Sequence, residues 1–568
     1  MTDLFEKLLA RIPGADLVSK NSKLGKLISN NGVTRSGEWL RIDALPRRDW
    51  QTASTLDEMA ARLTEHLAIP GGTMRLWPVQ AQALADAHDC GGAFLPIGVG
   101  QGKALISLLA ASVIDCKRPL LVVPAALRDQ TVSRVLPAMR AHWRINPTLR
   151  VIGYSEISLV KNADMLESIA PDLLILDEGH YLRSKTAGRT KRVVWYLKDH
   201  PDTTVIAMSG TFARKSLRDY WHIILWCLRQ GAPVPRDWRT LCQWADAIDL
   251  EVPDQCRVGP GALMRWAQTD EGPREAYGRR LRQTHGVVAT DEKELGVSLE
   301  IVNRPLALPL VVNAALKKLR DNWETPGGDW CTETIEVWRH AQTIALGFYF
   351  VWDPPAPAEW AFARKAYNTF VRETLAHNRR QLATPLQVWN ECAAQCLPAG
   401  HPFLLWRKIK STFVPNPVVR WFSEHALQDA ASWLKCGGIV WTQFAQFGSR
   451  LGRVAGVSYL GGGADASRAV LDITGPVVLS IAAHSEGKNL QDRYCENLIV
   501  APPSSGKTWE QILGRTHREG QQADTVTVHT YLCTDESRAA FEKARDEAAY
   551  IEQTGGGRQK LGYADIVI

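Results

Sequence analysis

PDLLILDEGHYL, residues Pro171 to Leu182, decides how the chain is read. Its apolar run Leu173-Leu174-Ile175-Leu176 passes straight into Asp177-Glu178-Gly179-His180. A short apolar run that ends in paired acids predicts a buried parallel strand delivering both carboxylates to its carboxyl end, the place where open α/β sheets bind ligands. Adjacent carboxylates repel, so the pair suggests divided labour: Asp177 holds a magnesium ion, and Glu178 positions and deprotonates a water. The plainer alternative is an acidic turn that caps the next helix.

Upstream, Gly92-Ala93-Phe94-Leu95-Pro96 reads as a strand, Ile97-Gly98-Val99-Gly100-Gln101-Gly102-Lys103-Ala104 as a glycine loop, and Leu105 to Ile114 as a helix. Loop glycines let backbone N–H groups converge on phosphate oxygens, the helix N-terminus adds the positive end of its dipole, and Lys103 supplies a point charge to the outer phosphates. The loop departs from the usual phosphate-binding pattern at both ends: Ile97 stands where glycine or alanine opens it, and Ala104 where a magnesium-ligating hydroxyl closes it. A water in the metal shell is one way to make good that hydroxyl; slow or absent hydrolysis is the other consequence. Pro119 to Pro124, Val151 to Ser155 and Thr204 to Thr211 read as further strands. Apolar strands with polar carboxyl ends, separated by helical stretches, predict a parallel sheet with helices on both faces, an α/β fold.

A chain of 568 residues is too long for one core and implies about two to four domains. Its formal net charge of +7 permits a polyanionic partner without demanding one. Eleven cysteines occur without a CxxC pair; Cys392 and Cys396, with His401, come nearest to ligand spacing but lack a fourth ligand. Reduced thiols are therefore expected. Asp3 and Glu6 stand where a signal peptide is basic and then apolar, and no apolar run reaches membrane-spanning length. A soluble cytoplasmic protein with no membrane partner is the expectation.

Residues 1–70 are polar and mixed, with a helix expected at Ser54 to Leu67, and read as an accessory region; residues 71–300 hold the first sheet. Residues 301–430 read as a helical insertion or linker, broken by Pro354-Pro355-Ala356-Pro357. Nine of the 21 tryptophans lie between Trp323 and Trp433; they invite base stacking, but burial in packed helices is the favoured reading because aromatic side chains dominate such interfaces. Residues 431–540 carry a second sheet, announced by Gly438 to Phe444 and Pro476 to Ile481, and 541–568 read as a tail. In Trp509-Glu510-Gln511-Ile512-Leu513-Gly514-Arg515-Thr516-His517-Arg518, Arg515 and Arg518 fall on one helical face, and a guanidinium fork suits charge developing on a transferred phosphoryl group. Ser505-Gly506-Lys507-Thr508 imitates a phosphate loop but lacks its preceding glycines.

Taken in order, LWPVQ, GVGQGK, LLVVPAAL, VIGYSE, LDEGHYLRSKTAGRTKR and MSGTFARKSLRDYWHIILW, followed downstream by AAHSEGKNLQ and QILGRTHREGQ, resemble the motor of helicase superfamily two, most closely the Swi/Snf-type DNA translocases. The resemblance covers about residues 74 to 290 and 436 to 535. The WEQILGRTHREGQ stretch looks similar to bacterial or phage-encoded relatives, whereas Ala501-Pro502-Pro503-Ser504 replaces the family's acidic and tryptophan-asparagine-proline segment. The resemblance implies two RecA-like lobes with a helical insertion and a small N-terminal accessory region, binding ATP and Mg2+. It implies that Gln80 reads the adenine, that Gly98, Gly100, Gln101, Gly102, Lys103, Ala104, Gly487 and Gln511 line the nucleotide, and that Asp177 holds the metal. Glu178 then activates water, Arg515 and Arg518 reach the γ-phosphate, and His180 with Ser209, Gly210 and Thr211 couples hydrolysis to motion. Lys488, Arg183, Lys185 and Arg189 are the candidate contacts to a nucleic-acid backbone. The expected activity is DNA-dependent ATP hydrolysis driving translocation, unwinding or remodelling on double- or single-stranded DNA. A hydrolysis-impaired, nucleotide-switched scaffold and an RNA-directed helicase are the alternatives.

Overall fold

The computed structural model describes residues 32–48, 53–185, 187–212, 215–253, 256–290, 297–331, 333–376, 385–555 and 557–568. The chain divides into two compact units. The first takes the described residues of Met1–Gly296, Ser505–Gly514 and Ala544–Tyr563, and the second those of Val297–Ser504, Arg515–Lys543 and Ala564–Ile568.

The first unit is built on strands β1 (Ala93–Leu95), β2 (Pro119–Val123), β3 (Arg150–Gly153), β4 (Leu173–Asp177) and β5 (Thr204–Met208). They form one sheet in the order β1-β5-β4-β2-β3, and every pairing is parallel. Alternate residues along each strand enter opposite cores. Phe94, Leu120, Val122, Leu174, Leu176, Val205 and Ala207 join one cluster; Ala93, Leu95, Leu121, Val123, Leu173, Ile175, Ile206 and Met208 join the other. Two-residue periodicity with both faces covered is what makes these strands read as unbroken apolar runs. Because all five point the same way, the exits of β1, β5 and β4, adjacent in the sheet, lie along one edge.

Two expectations shift at their boundaries. Tyr154 and Ser155, expected in a strand, open the helix Tyr154–Ser158 instead, because the Gly153 N–H donates to Glu156 Oε1 at 2.7 Å and starts a helical turn there. Of residues 1–70, the helix Ala53–Leu67 buries Ala60 and Leu67 in one core and the segment before it buries Trp39 and Ile42 in the other, so the described part of that region is integral to the first unit.

The second unit contains β6 (Ser298–Asn303), β7 (Phe348–Trp352), β8 (Pro417–Trp421), β9 (Ile439–Thr442), β10 (Tyr459–Leu460), β11 (Val477–Ser480), β12 (Glu496–Ile499), β13 (Thr525–Thr530) and β14 (Asp565–Val567). Seven of them form a wholly parallel sheet in the order β10-β11-β9-β12-β13-β6-β14, while β7 and β8 pair antiparallel. The stretch 301–430 is mostly helical but begins inside β6, whose alternation of buried Leu299 and Ile301 with half-buried Glu300 lacks the apolar run that marks a fully covered strand. Residues 541–568, expected as a tail, complete the helix Asp535–Gln553 and supply β14, paired to β6. Trp360 and Trp433 are buried and the other seven tryptophans between Trp323 and Trp433 half-buried. Among the described residues only Trp195 and Trp238 are exposed tryptophans, so the tryptophans of that stretch act as packing. No described helix is long and apolar enough to cross a membrane.

Candidate functional site

The site of the first unit grows from the edge where β1, β5 and β4 end. After β1 the chain makes its glycine loop and enters the helix Lys103–Val113. Gly100 and Gly102 take φ of +92° and +71°, left-handed values that favour glycine. Gly102 is constrained twice, since a Cβ there would sit 2.1 Å from Gln80 Nε2. The Gly98 N–H donates to Thr290 Oγ1 at 2.9 Å. The exit of β5 closes on the same loop: a Cβ on Gly210 would meet Ile97 O at 3.2 Å and Gly98 Cα at 3.3 Å.

Lys103 is buried, and its ammonium donates to Ile97 O at 3.1 Å and Gly98 O at 3.4 Å while pairing with Glu178 Oε1 at 3.2 Å. Glu178, the residue after β4, has φ +52° and ψ +50°. A non-glycine residue in that region costs on the order of 1–3 kcal/mol and persists only where its surroundings hold it. What holds it is a network: Ser209 Oγ donates to Glu178 Oε2 at 3.0 Å, His180 Nδ1 lies 3.1 Å from the same oxygen and 2.8 Å from Ser209 Oγ, and the Thr211 N–H donates to Ser209 Oγ at 3.2 Å. Burial pushes the Glu178 carboxyl upward, but the charge of Lys103, the hydrogen bond to His180 and the charge of Lys507 outweigh it and hold the group well below the ordinary carboxylate range. Asp177 sits half-buried beside it, its carbonyl accepting from the Tyr154 hydroxyl at 2.9 Å.

Sequence reasoning missed Lys507. It lies on the helix Gly506–Thr516, its ammonium hydrogen-bonded to His180 Nε2 and 5.4 Å from the centre of the Tyr181 ring. The signal was the SGKT run, whose lysine belongs here rather than in a phosphate loop. The same helix buries Trp509, Glu510 and Gln511, and a Cβ on its Gly514 would meet Val99 Cγ1 at 2.7 Å.

Gly98, Gly100, Gln101, Gly102, Lys103, Asp177, Glu178, His180, Ser209, Gly210, Thr211 and Gln511 thus all fall in the first unit. Gln80 belongs with them, but its amide is spent on the chain: Oε1 accepts from the Trp77 N–H at 2.9 Å and Nε2 donates to Gly102 O at 3.3 Å. Ala104 is exposed on the first turn after Lys103.

In the second unit the structure gathers Gly487, Lys488, Arg515 and Arg518. Arg515 Nη1 donates to Lys488 O at 2.9 Å, and Arg518 Nη1 to Asn489 Oδ1 at 2.5 Å. The two arginines do not share a helical face, because the helix ends at Thr516. Its last carbonyls are taken from outside, Arg515 O by the Leu490 N–H at 3.1 Å and Thr516 O by Gln521 Nε2 at 3.0 Å, so the chain bends before Arg518. Burial pushes the Arg518 guanidinium down, and its Nε has no hydrogen-bond partner.

Three of the four expected backbone-gripping residues, Lys488, Lys185 and Arg189, are engaged within the fold. Lys488 is buried, donating to Ser467 O at 3.0 Å and Oγ at 2.6 Å, so it does not present its ammonium on a surface. Lys185 Nζ lies 4.2 Å and 3.7 Å from the Trp221 and Trp238 ring centres, and Arg189 Nε donates to Tyr181 O at 2.7 Å. Arg183 is half-buried, with Nη1 enclosed and unpartnered. Cys392 is buried and Cys396 exposed, while His401 Nδ1 accepts from the Phe403 N–H at 3.2 Å. Among the described residues no group of three or more histidine, cysteine and acidic side chains is placed to hold a metal ion. Compared with known proteins, the sequence matches no family model and no curated protein.

Proposed function

We propose that the chain is a nucleic-acid-dependent ATPase of the helicase superfamily two type, with both units as RecA-like lobes and DNA as the partner. The observation that carries the reading is the Lys103–Glu178–Ser209–His180 network at the exits of three adjacent parallel strands, beside a loop whose Gly102 has no room for a side chain. Lys103 is the cation available to the β- and γ-phosphates, and the amides of Gly98 to Gly102 the neutral donors. Binding a polyanion draws Lys103 from Glu178 and leaves that carboxylate, held ionised by its surroundings, to orient and deprotonate water. Magnesium suits the donor set in a reduced form: Asp177 supplies a carboxylate, Ala104 supplies no hydroxyl, and such ions are commonly held by one or two carboxylates with phosphates and waters completing the shell. A bound ion there neutralises phosphate charge. Arg515 and Arg518 are the guanidinium groups proposed for the developing charge on the γ-phosphoryl group.

The second reading is a nucleotide-switched scaffold without useful turnover, favoured by Ala104 alone. ATP hydrolysis measured with and without single- and double-stranded DNA and RNA, beside Lys103→Ala and Glu178→Gln, separates the two. Turnover that rises with DNA and vanishes in both variants supports the motor, and stimulation by RNA alone redirects it to RNA. Nucleotide binding with no turnover above the variants supports the scaffold.

A further inference from the structure

Lys507 belongs to no expected site, yet it ends at the imidazole beside the proposed base. We infer that Lys507 is a positioning residue: by donating to His180 Nε2 it fixes His180 as the Nδ1–H tautomer, and through that tautomer it fixes the carboxylate of Glu178. The inference rests on the ATPase reading for its kinetic consequence only.

A lysine ammonium has three donors and no acceptor, so the atom it meets, His180 Nε2, carries the lone pair. The ring proton then sits on Nδ1, which faces Ser209 Oγ at 2.8 Å and Glu178 Oε2 at 3.1 Å. Ser209 Oγ already accepts from the Thr211 N–H at 3.2 Å and sends its own proton to Glu178 Oε2 at 3.0 Å. Every hydrogen thus points toward the carboxylate, in one direction from Lys507 to Glu178. The opposite tautomer sets the Nε2–H against the ammonium and leaves Nδ1 as an acceptor beside a carboxylate oxygen, two mismatches in a buried place where an unmet donor or acceptor costs about 1–3 kcal/mol. Glu178 is held in a left-handed backbone conformation, so its orientation depends on these side-chain contacts rather than on strand geometry. His180 is buried and Ser209 fully so, which leaves the bulk solvent little part in choosing the tautomer.

The test uses the full chain carrying 15N-labelled histidine, with the His180 signal assigned by its loss in His180→Gln. Wild type and Lys507→Arg, which also offers only donors, are expected to show the Nδ1–H pattern of imidazole nitrogen shifts; Lys507→Met is expected to show a mixture or the Nε2–H form. In ATP hydrolysis, Lys507→Met is expected to lower kcat about tenfold, within the range of acid–base effects, with KM for ATP changed less than about twofold, and Lys507→Arg to restore most of kcat. A Nε2–H signal in wild type, or a Lys507→Met spectrum identical to wild type, overturns the inference even if ATP is hydrolysed. A wild-type chain that hydrolyses no ATP under any nucleic acid removes the proposed function instead, and the histidine spectrum still decides whether Lys507 sets the tautomer.

Discussion

Lys103 in the first unit is buried and Arg518 in the second is half-buried, and the two cations are held by opposite means. Lys103 faces a carboxylate, Glu178 Oε1 at 3.2 Å. Arg518 has the neutral amide oxygen of Asn489 at 2.5 Å and an enclosed Nε that meets no acceptor. The first arrangement is neutralised at rest, so an incoming polyanion competes with an ion pair already made. The second carries unrepaid desolvation, which an anion relieves. One cation, paired and buried, thus serves the fold until ligand arrives, whereas the half-buried other, with its Nε enclosed and unmet, weakens the fold until ligand arrives.

Removing each cation breaks the comparison most directly. Lys103→Met leaves Glu178 ionised without its paired cation, and deleting one partner of a buried pair costs about 3–5 kcal/mol. Urea denaturation of the first unit is expected to show that loss, and Lys103→Met with Glu178→Gln to recover most of it, the double-mutant cycle reporting the coupling. Equal stability for wild type and Lys103→Met refutes the resting ion pair.

Acid sharpens the same contrast by asking which first-unit group gives way. Glu178 is held well below its ordinary value, so the stability it contributes is complete above the unfolded carboxylate range and is lost progressively as pH falls from that range to its depressed folded value. His222 behaves otherwise: burial drives it down to about 4, with Nε2 2.9 Å from Leu182 O and Nδ1 unpartnered. Below about 6.5 the unfolded chain takes up a proton that the folded ring refuses until about 4, so stability falls as pH falls across that window, by about 3 kcal/mol. Denaturation of His222→Gln followed from pH 7 to pH 4, the lower end being about the folded value of His222, is expected to show a flatter acid loss than wild type. Glu178→Gln is expected to leave the slope of that window unchanged above about pH 5.

How far the sequence reveals all this depends on what each segment buries. β1, β2, β4 and β5 were legible because both faces of the first sheet are covered, and a strand buried on both sides shows as an apolar run ending in polar residues. β6 was not, because Glu300 interrupts its pattern and its place beside β13 depends on a pairing more than 200 residues away in the chain. The glycine loop, Lys103 and the Asp177-Glu178 pair were readable as local chemistry within short segments. The left-handed turn at Glu178 and the reach of Lys507 to His180 were not, since each is made by contacts between distant segments. Lys488 shows the reverse error: a lysine in a small polar loop reads as exposed, but Ser467 gives its ammonium two oxygens and so allows burial.

Arg518→Met turns the comparison round. A cation without a matched acceptor is replaced by an apolar chain of similar length, so stability is expected to hold or rise by about 1 kcal/mol, while the proposed turnover falls, the trade expected where a strained group serves function. Adding inorganic phosphate is expected to raise the melting temperature of wild type more than that of Arg518→Met; equal shifts refute the unrepaid charge at Arg518.

The smallest structural effect belongs to Ala104→Thr. The position is exposed on the first turn of its helix, so the substitution is expected to change stability by less than about 0.5 kcal/mol. Its value is chemical, because it returns a hydroxyl to the place beside Lys103 where the resemblance expects a magnesium ligand. If Ala104 slows a working motor, ATP turnover rises in the variant and less magnesium is needed for half-maximal rate. If the first unit is a switch whose Lys103–Glu178 pair is never opened by nucleotide, added hydroxyl changes neither. A rise in turnover at unchanged stability therefore assigns the deficit to metal ligation rather than to the ion pair, and an unchanged rate with intact nucleotide binding assigns it to the pair.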